Sequence, residues 1–190
     1  ELAKKLNINF EKKNIMFSYH PERNNSKIVS DLKNIFLALK SLEHTNIFIT
    51  MPNPDEGNSI IYKHIIDNVK KNDNFFFIKS MGTPNYLSMI SHVDLIIGNS
   101  SSGIIEAPSL KTPSIDIGDR QKGRERAKSV FHCKSNKKEI LNLINKLLRK
   151  KSNKLNFKNP YEKSSVSTNI IKILENINYK SNLEKKFFNI

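Results

Sequence analysis

Short, almost wholly apolar runs set the frame of this chain: "KNIMFSY" (13–19), "NIFITM" (46–51), "NFFFIK" (74–79), "DLIIG" (94–98) and "TPSIDIG" (112–118). Runs so brief and so uniformly apolar have no polar face to turn to water, so they belong in a sheet covered on both sides. Helical patterns separate them. "KIVSDLKNIFLALKSL" (27–42) gathers Ile28, Leu32, Ile35, Phe36 and Leu39 on one face, and "NSIIYKHIIDNVKKN" (58–72) repeats the pattern. A short helix is expected over 85–93, after a "SMGTP" loop, and another near 103–110. This alternation predicts an α/β fold, a Rossmann-like parallel sheet with helices on both faces.

The remaining elements follow from the same reading. "SVFHC" (129–133) reads as an edge strand, and "KKEILNLINKLLRK" (137–150) as an amphipathic helix. The main domain is expected to span 1–150, with a connector over 151–160. Residues 161–190 then supply a C-terminal helix (165–177) and a basic tail carrying Phe187 and Phe188.

Composition narrows the function classes. The chain's 190 residues suffice for one good core. Cys133 is the single cysteine, which rules out an internal disulfide and zinc sites built on several cysteines. No stretch has the roughly 20 apolar residues of a membrane span, and no signal-peptide pattern opens the chain. A cytoplasmic setting without membrane association is expected. The chain begins at Glu1 rather than Met, so it is expected to start inside a longer protein. The formal charge of +14 raises the question of nucleic acid. The lysines are scattered, however, and no aromatic-and-basic stripe is present, so solvated lysine faces explain the charge better than a nucleic-acid partner.

In an open parallel sheet, ligands bind where strands end and loops lead into helices. Five loops occupy such exits: "HPERN", "PNPDEG", "SMGTPNY", "GNSSSG" and "GDRQKGR". "GNSSSGIIE" (98–106) runs from a strand into a helix, where free N–H groups and serine hydroxyls can hold a phosphate. An ordinary N-cap cluster would use the same residues. Glu106, one turn into that helix, is either a dipole-favoured acid or an acceptor for ribose hydroxyls. Arg120, Lys122 and Arg124 make the "GDRQKGR" loop basic, and a phosphate partner fits its place after the serine loop. His20, at a strand exit, is a candidate phosphate donor or proton-transfer group. Tyr86 is a candidate shelf for a base or a core aromatic. Asp55 and Glu56 fit a turn, and no histidine pair has metal-ligand spacing; no metal and no cofactor are expected.

"HPERN", "MPNPDEG" and "GNSSSGIIEAPSLKTPSIDIGDRQKGR", in this order, resemble the hydrolysing UDP-N-acetylglucosamine 2-epimerases from about residue 13 to 150. Members of that family pair two Rossmann-like domains across a cleft, the architecture of one large class of glycosyltransferases. This chain is similar to the C-terminal, UDP-binding domain. The resemblance implies that Ser100 and Ser101 bond the diphosphate and Glu106 the ribose. It implies that Arg120 faces the diphosphate or sugar, and that Asn53 lines the nucleotide pocket. The backbone at Met81 and the ring of Tyr86 would frame the uracil. His20 is the implied catalytic residue of this half.

The implied reaction gives UDP and N-acetylmannosamine, or a close relative, through a glycal intermediate, for sialic-acid-type sugars. Its proton-transfer carboxylates belong to an N-terminal domain that this sequence lacks. The chain alone is therefore expected to be inactive, and the full-length protein to form a homo-oligomer. Two other readings stand beside this one: the donor-nucleotide domain of a glycosyltransferase, and a basic nucleic-acid-binding module.

Overall fold

The structure is a computed structural model and describes residues 11–22, 26–149 and 155–177. Part of the "HPERNNS" loop, Lys150, the start of the connector and the tail with Phe187 and Phe188 lie outside these residues. The chain divides into two compact units, Glu1–Pro160 and Tyr161–Ile190.

In the first unit, six strands form one sheet in the order β3-β2-β1-β4-β5-β6, every pair parallel. The strands are β1 (Lys13–Ser18), β2 (Thr45–Thr50), β3 (Phe75–Ile78), β4 (Leu95–Gly98), β5 (Ser114–Ile117) and β6 (Val130–Cys133). The helices are α1 (Ile28–Leu39), α2 (Asn58–Val69), α3 (Gly82–His92), α4 (Ser102–Ser109) and α5 (Lys137–Arg149). Parallel strands cannot be joined by tight turns, so each link runs across a face of the sheet.

Strand periodicity then sorts the core into two layers. Ile15, Phe17, Ile47, Ile49, Leu95 and Ile97 point to one face, where Leu32, Ile35, Phe36, Ile61, Ile65, Ile140 and Ile144 cover them. Met16, Phe48 and Ile96 point to the other, beneath Met89, Ile90 and Ala107 of α3 and α4. All five apolar side chains expected on the buried face of α1 are buried. Each such side chain contributes about 1.5–3 kcal/mol of burial free energy.

One boundary differs from expectation. α3 starts at Gly82, so Thr83 and Pro84 belong to its first turn rather than to a loop. A proline costs nothing there, because the first-turn N–H groups have no helical acceptor.

The order of strands matters most for function. The chain builds outward from β1 to β3, then returns to lay β4 on the other side of β1. Crossovers on the two sides of this seam diverge, which opens a crevice at the strand ends. Ser18 and Gly98 are register partners at that point. Gly98 has φ +138°, and a Cβ there would stand 1.9 Å from the Ser18 carbonyl oxygen, so only glycine fits the seam.

The second unit contains α6 (Val166–Asn176), whose Val166, Ile170, Ile171, Ile173 and Leu174 are exposed. Among the described residues, no helix is long and apolar enough to cross a membrane.

Candidate functional site

The crevice holds a cavity of about 520 Å³, within the range of small-molecule sites. His20, Asn53, Met81, Tyr86, Ser100, Ser101, Glu106 and Arg120 all line it. The fold thus brings the eight residues singled out from the sequence to one wall, although they leave five different strands.

His20 follows β1 and is buried. Its Nδ1 accepts a hydrogen bond from the main-chain N–H of Asn53 at 3.1 Å. An acceptor nitrogen carries no proton, so the neutral ring keeps its hydrogen on Nε2. Nε2 lies 3.4 Å from the Ser18 hydroxyl, which also accepts from Thr50 Oγ1 at 2.9 Å. Burial, reinforced by the Arg120 charge and opposed by Asp55, lowers the His20 pKa to about 4. At neutral pH the ring is an uncharged N–H donor, suited to an anionic oxygen.

The serine loop precedes α4. Ser101, with helical backbone angles at the start of α4, makes no side-chain bond into the helix. The Ser102 N–H points to Ser100 Oγ at a long 3.4 Å. Tyr86 donates its hydroxyl hydrogen to Ser102 Oγ at 2.9 Å, tying α3 to the first residue of α4. Burial raises the Tyr86 pKa, with the neighbouring serine hydroxyls working the other way. The Tyr86 ring is therefore fixed in the cavity wall by its polar end, a role neither sequence reading had given it.

Glu106 faces the same cavity. Its Oε2 is buried and has no hydrogen-bond partner among the described residues. An orphaned carboxylate oxygen costs free energy unless a donor from outside the chain meets it.

Arg120 donates from Nη1 to the Asn99 carbonyl at 3.1 Å, and the Gln121 side chain donates to the same oxygen at 2.8 Å. Below this loop, Arg126 Nη2 meets the buried Asp116 Oδ2 at 2.7 Å and the Gln121 carbonyl at 3.1 Å. Burial of Asp116 demands such a cation, and the pair anchors the basic loop.

Ser101 and Arg120 also line a second, larger recess of about 1360 Å³ beside the first. It carries Glu22, Asp55, Glu56, Asp119 and Arg124. Asp55 and Glu56 were read as turn residues, and they do precede α2; they also form part of this wall. Burial pushes the Glu22 carboxyl pKa upward.

Sequence reasoning missed Ser18, Thr50, Asn99, Ser102 and the Asp116–Arg126 pair. Asn99 and Ser102 lay inside the quoted loop; the others gave no local signal. Among the described residues, no cluster of three or more His, Cys, Asp or Glu side chains could hold a metal ion.

Comparison with known proteins bears on the family and the fold. The Escherichia coli polysialic acid biosynthesis protein P7 is 35% identical over 90% of this chain and 44% of its own length. The Campylobacter jejuni GDP/UDP-N,N'-diacetylbacillosamine 2-epimerase (hydrolyzing) is 35% identical over 72% of this chain and 36% of its own. The chain therefore spans less than half the length of these relatives. A crystal structure of Neisseria meningitidis UDP-GlcNAc 2-epimerase bound to UDP-GlcNAc has the same fold, with TM-score 0.72 at 20% identity over 92% of this chain and 48% of that one. The profile of one family, described as UDP-N-acetylglucosamine 2-epimerase, matches residues 1–175. With the parallel sheet, the cleft at its seam and these matches in agreement, this chain belongs to the UDP-N-acetylglucosamine 2-epimerase family.

Proposed function

We propose that the chain is the nucleotide-binding half of a hydrolysing UDP-N-acetylglucosamine 2-epimerase. The observation that carries the reading is Glu106: a buried carboxylate oxygen without a partner among the described residues, in the cavity that also holds the serine loop, His20 and Arg120. A ribose offers two adjacent hydroxyl donors to such an acceptor. The uracil would lie by the Met81 backbone and Tyr86, beside Asn53. The diphosphate would lie at Ser100, Ser101 and Arg120, where the two recesses join, with the sugar extending into the larger one.

The chemistry assigned to this half is leaving-group stabilisation. A base from the other half removes the C2 proton of the sugar. The C1–O bond breaks, its electron pair goes to the β-phosphate oxygen, and a C1–C2 double bond forms. Water then adds to give the C2-inverted free sugar and UDP. Negative charge grows on the departing diphosphate, and the His20 Nε2–H, the Arg120 guanidinium and the serine hydroxyls are the donors this half would offer it. The sugar is N-acetylglucosamine or a diacetamido relative.

Full-length protein incubated with UDP-N-acetylglucosamine and no acceptor is expected to release free N-acetylmannosamine and UDP. Release only on addition of an acceptor would replace this reading with glycosyl transfer. The 190-residue chain alone is expected to bind UDP weakly and to turn over nothing. Turnover by the isolated chain equal to that of the whole protein would refute its assignment as a half-site.

A further inference from the structure

We infer that Asn99 is the positioning residue of this site, setting where His20 and Arg120 meet the ligand. The inference rests on the reading above that these two side chains face the departing diphosphate. Asn99 is fully buried, and each polar group of its side chain is committed. Its Oδ1 accepts the His20 N–H at 2.7 Å, and its Nδ2 donates to the His20 carbonyl at 2.9 Å and to Glu22 Oε1 at 3.1 Å. The main-chain N–H of Asn99 donates to the Ser18 carbonyl, and its own carbonyl receives both Arg120 and Gln121.

One residue thus grips the main chain of His20 from both sides while bracing the arginine from the opposite loop. The donors also fix which way the amide faces, since the His20 N–H requires an acceptor and the His20 carbonyl requires a donor. Aspartate has the same shape but only acceptors. It would keep the bond from the His20 N–H, lose the other two, and set a second carboxylate against Glu22.

A residue that only stabilised the fold would alter the melting temperature and leave kinetics alone. A positioning residue alters the transition-state term, because a displacement of about 1 Å costs on the order of 10²-fold in rate. Asn99→Asp and Asn99→Ala in the full-length protein are therefore expected to lower kcat by about 10²-fold while KM changes by less than about threefold. In the 190-residue chain, the His20 ring resonances, assigned by their loss in His20→Asn, are expected to move in both variants. Those resonances judge Asn99 without reference to turnover, so they separate its failure from failure of the epimerase reading. Lowered melting temperature with unchanged kcat, KM and His20 resonances would overturn the inference. Should neither variant fold, hydrogen exchange in the unmodified chain decides: the His20 N–H must be protected like the β1 amides, and fast exchange there sinks the clamp.

Discussion

The main-chain N–H of Asn53 donates to Nδ1 of His20 across 3.1 Å, joining loops that leave adjacent parallel strands. Protonating that nitrogen would break the bond and put a cation beside Arg120. The folded state therefore resists protonation from the ordinary pKa of 6.5 down to about 4. Between these values the unfolded chain binds a proton that the folded chain does not, so stability rises with pH through the window and is lost on acidification. Glu22, whose pKa is raised by burial, contributes with opposite sign above the ordinary carboxylate range. Urea titrations at pH 7.5 and 4.5 should show the unmodified chain losing more stability than His20→Asn, by on the order of 2 to 3 kcal/mol. Equal losses would mean that His20 titrates as it does in water.

Glu106 should show opposed effects on stability and binding. Its orphaned oxygen is a liability in the unliganded chain, so Glu106→Gln is expected to keep or raise the melting temperature. The same change weakens charge-assisted bonds to ribose, each worth about 1.5–3 kcal/mol, so UDP affinity should fall at least about tenfold. Calorimetry on both forms measures the two effects. Unchanged UDP affinity would remove the ribose assignment.

Gly98→Ala tests the seam. The added methyl carbon collides with the Ser18 main chain, which no rotamer change relieves, and φ +138° is itself costly for alanine. We expect destabilisation above about 3 kcal/mol by denaturant unfolding. A stable Gly98→Ala chain would mean that β1 and β4 separate at their ends more readily than the geometry allows.

Arg126→Ala should cost about 3–5 kcal/mol, because it leaves the Asp116 carboxylate buried without its cation. His132, 3.4 Å from the same oxygen, is a weaker partner, so the double change Arg126→Ala with His132→Asn should cost more than the sum of the two single changes. Thermal unfolding of the four forms checks this. Additive losses would show that His132 does not compensate.

Much of this molecule was legible in its sequence. Phe17, Ile49 and Ile97 sit in runs whose apolar character already specified a sheet covered on both faces, and the observed strands fall within about two residues of the expected ones. α3 was misjudged at its start because Pro84 reads as a breaker unless its place in the first turn is known. The partnerships inside the site were not legible. Asn99 with His20, Asn53 with His20 and Tyr86 with Ser102 are 79, 33 and 16 residues apart. Only the strand order brings them together, and local pattern cannot supply that order.

The single cysteine has a practical consequence. Cys133 is buried at the end of β6, and burial, assisted by nearby Glu139 and Asp116, pushes its thiol pKa up to about 12. It is therefore nearly inert toward maleimides at neutral pH, since the thiolate is the reacting form. The short turns at 41–44 and 72–74 lie on the margin of the sheet away from the crevice. A cysteine introduced in either turn would take a fluorophore selectively, with the native thiol left in place and the crevice untouched by the dye.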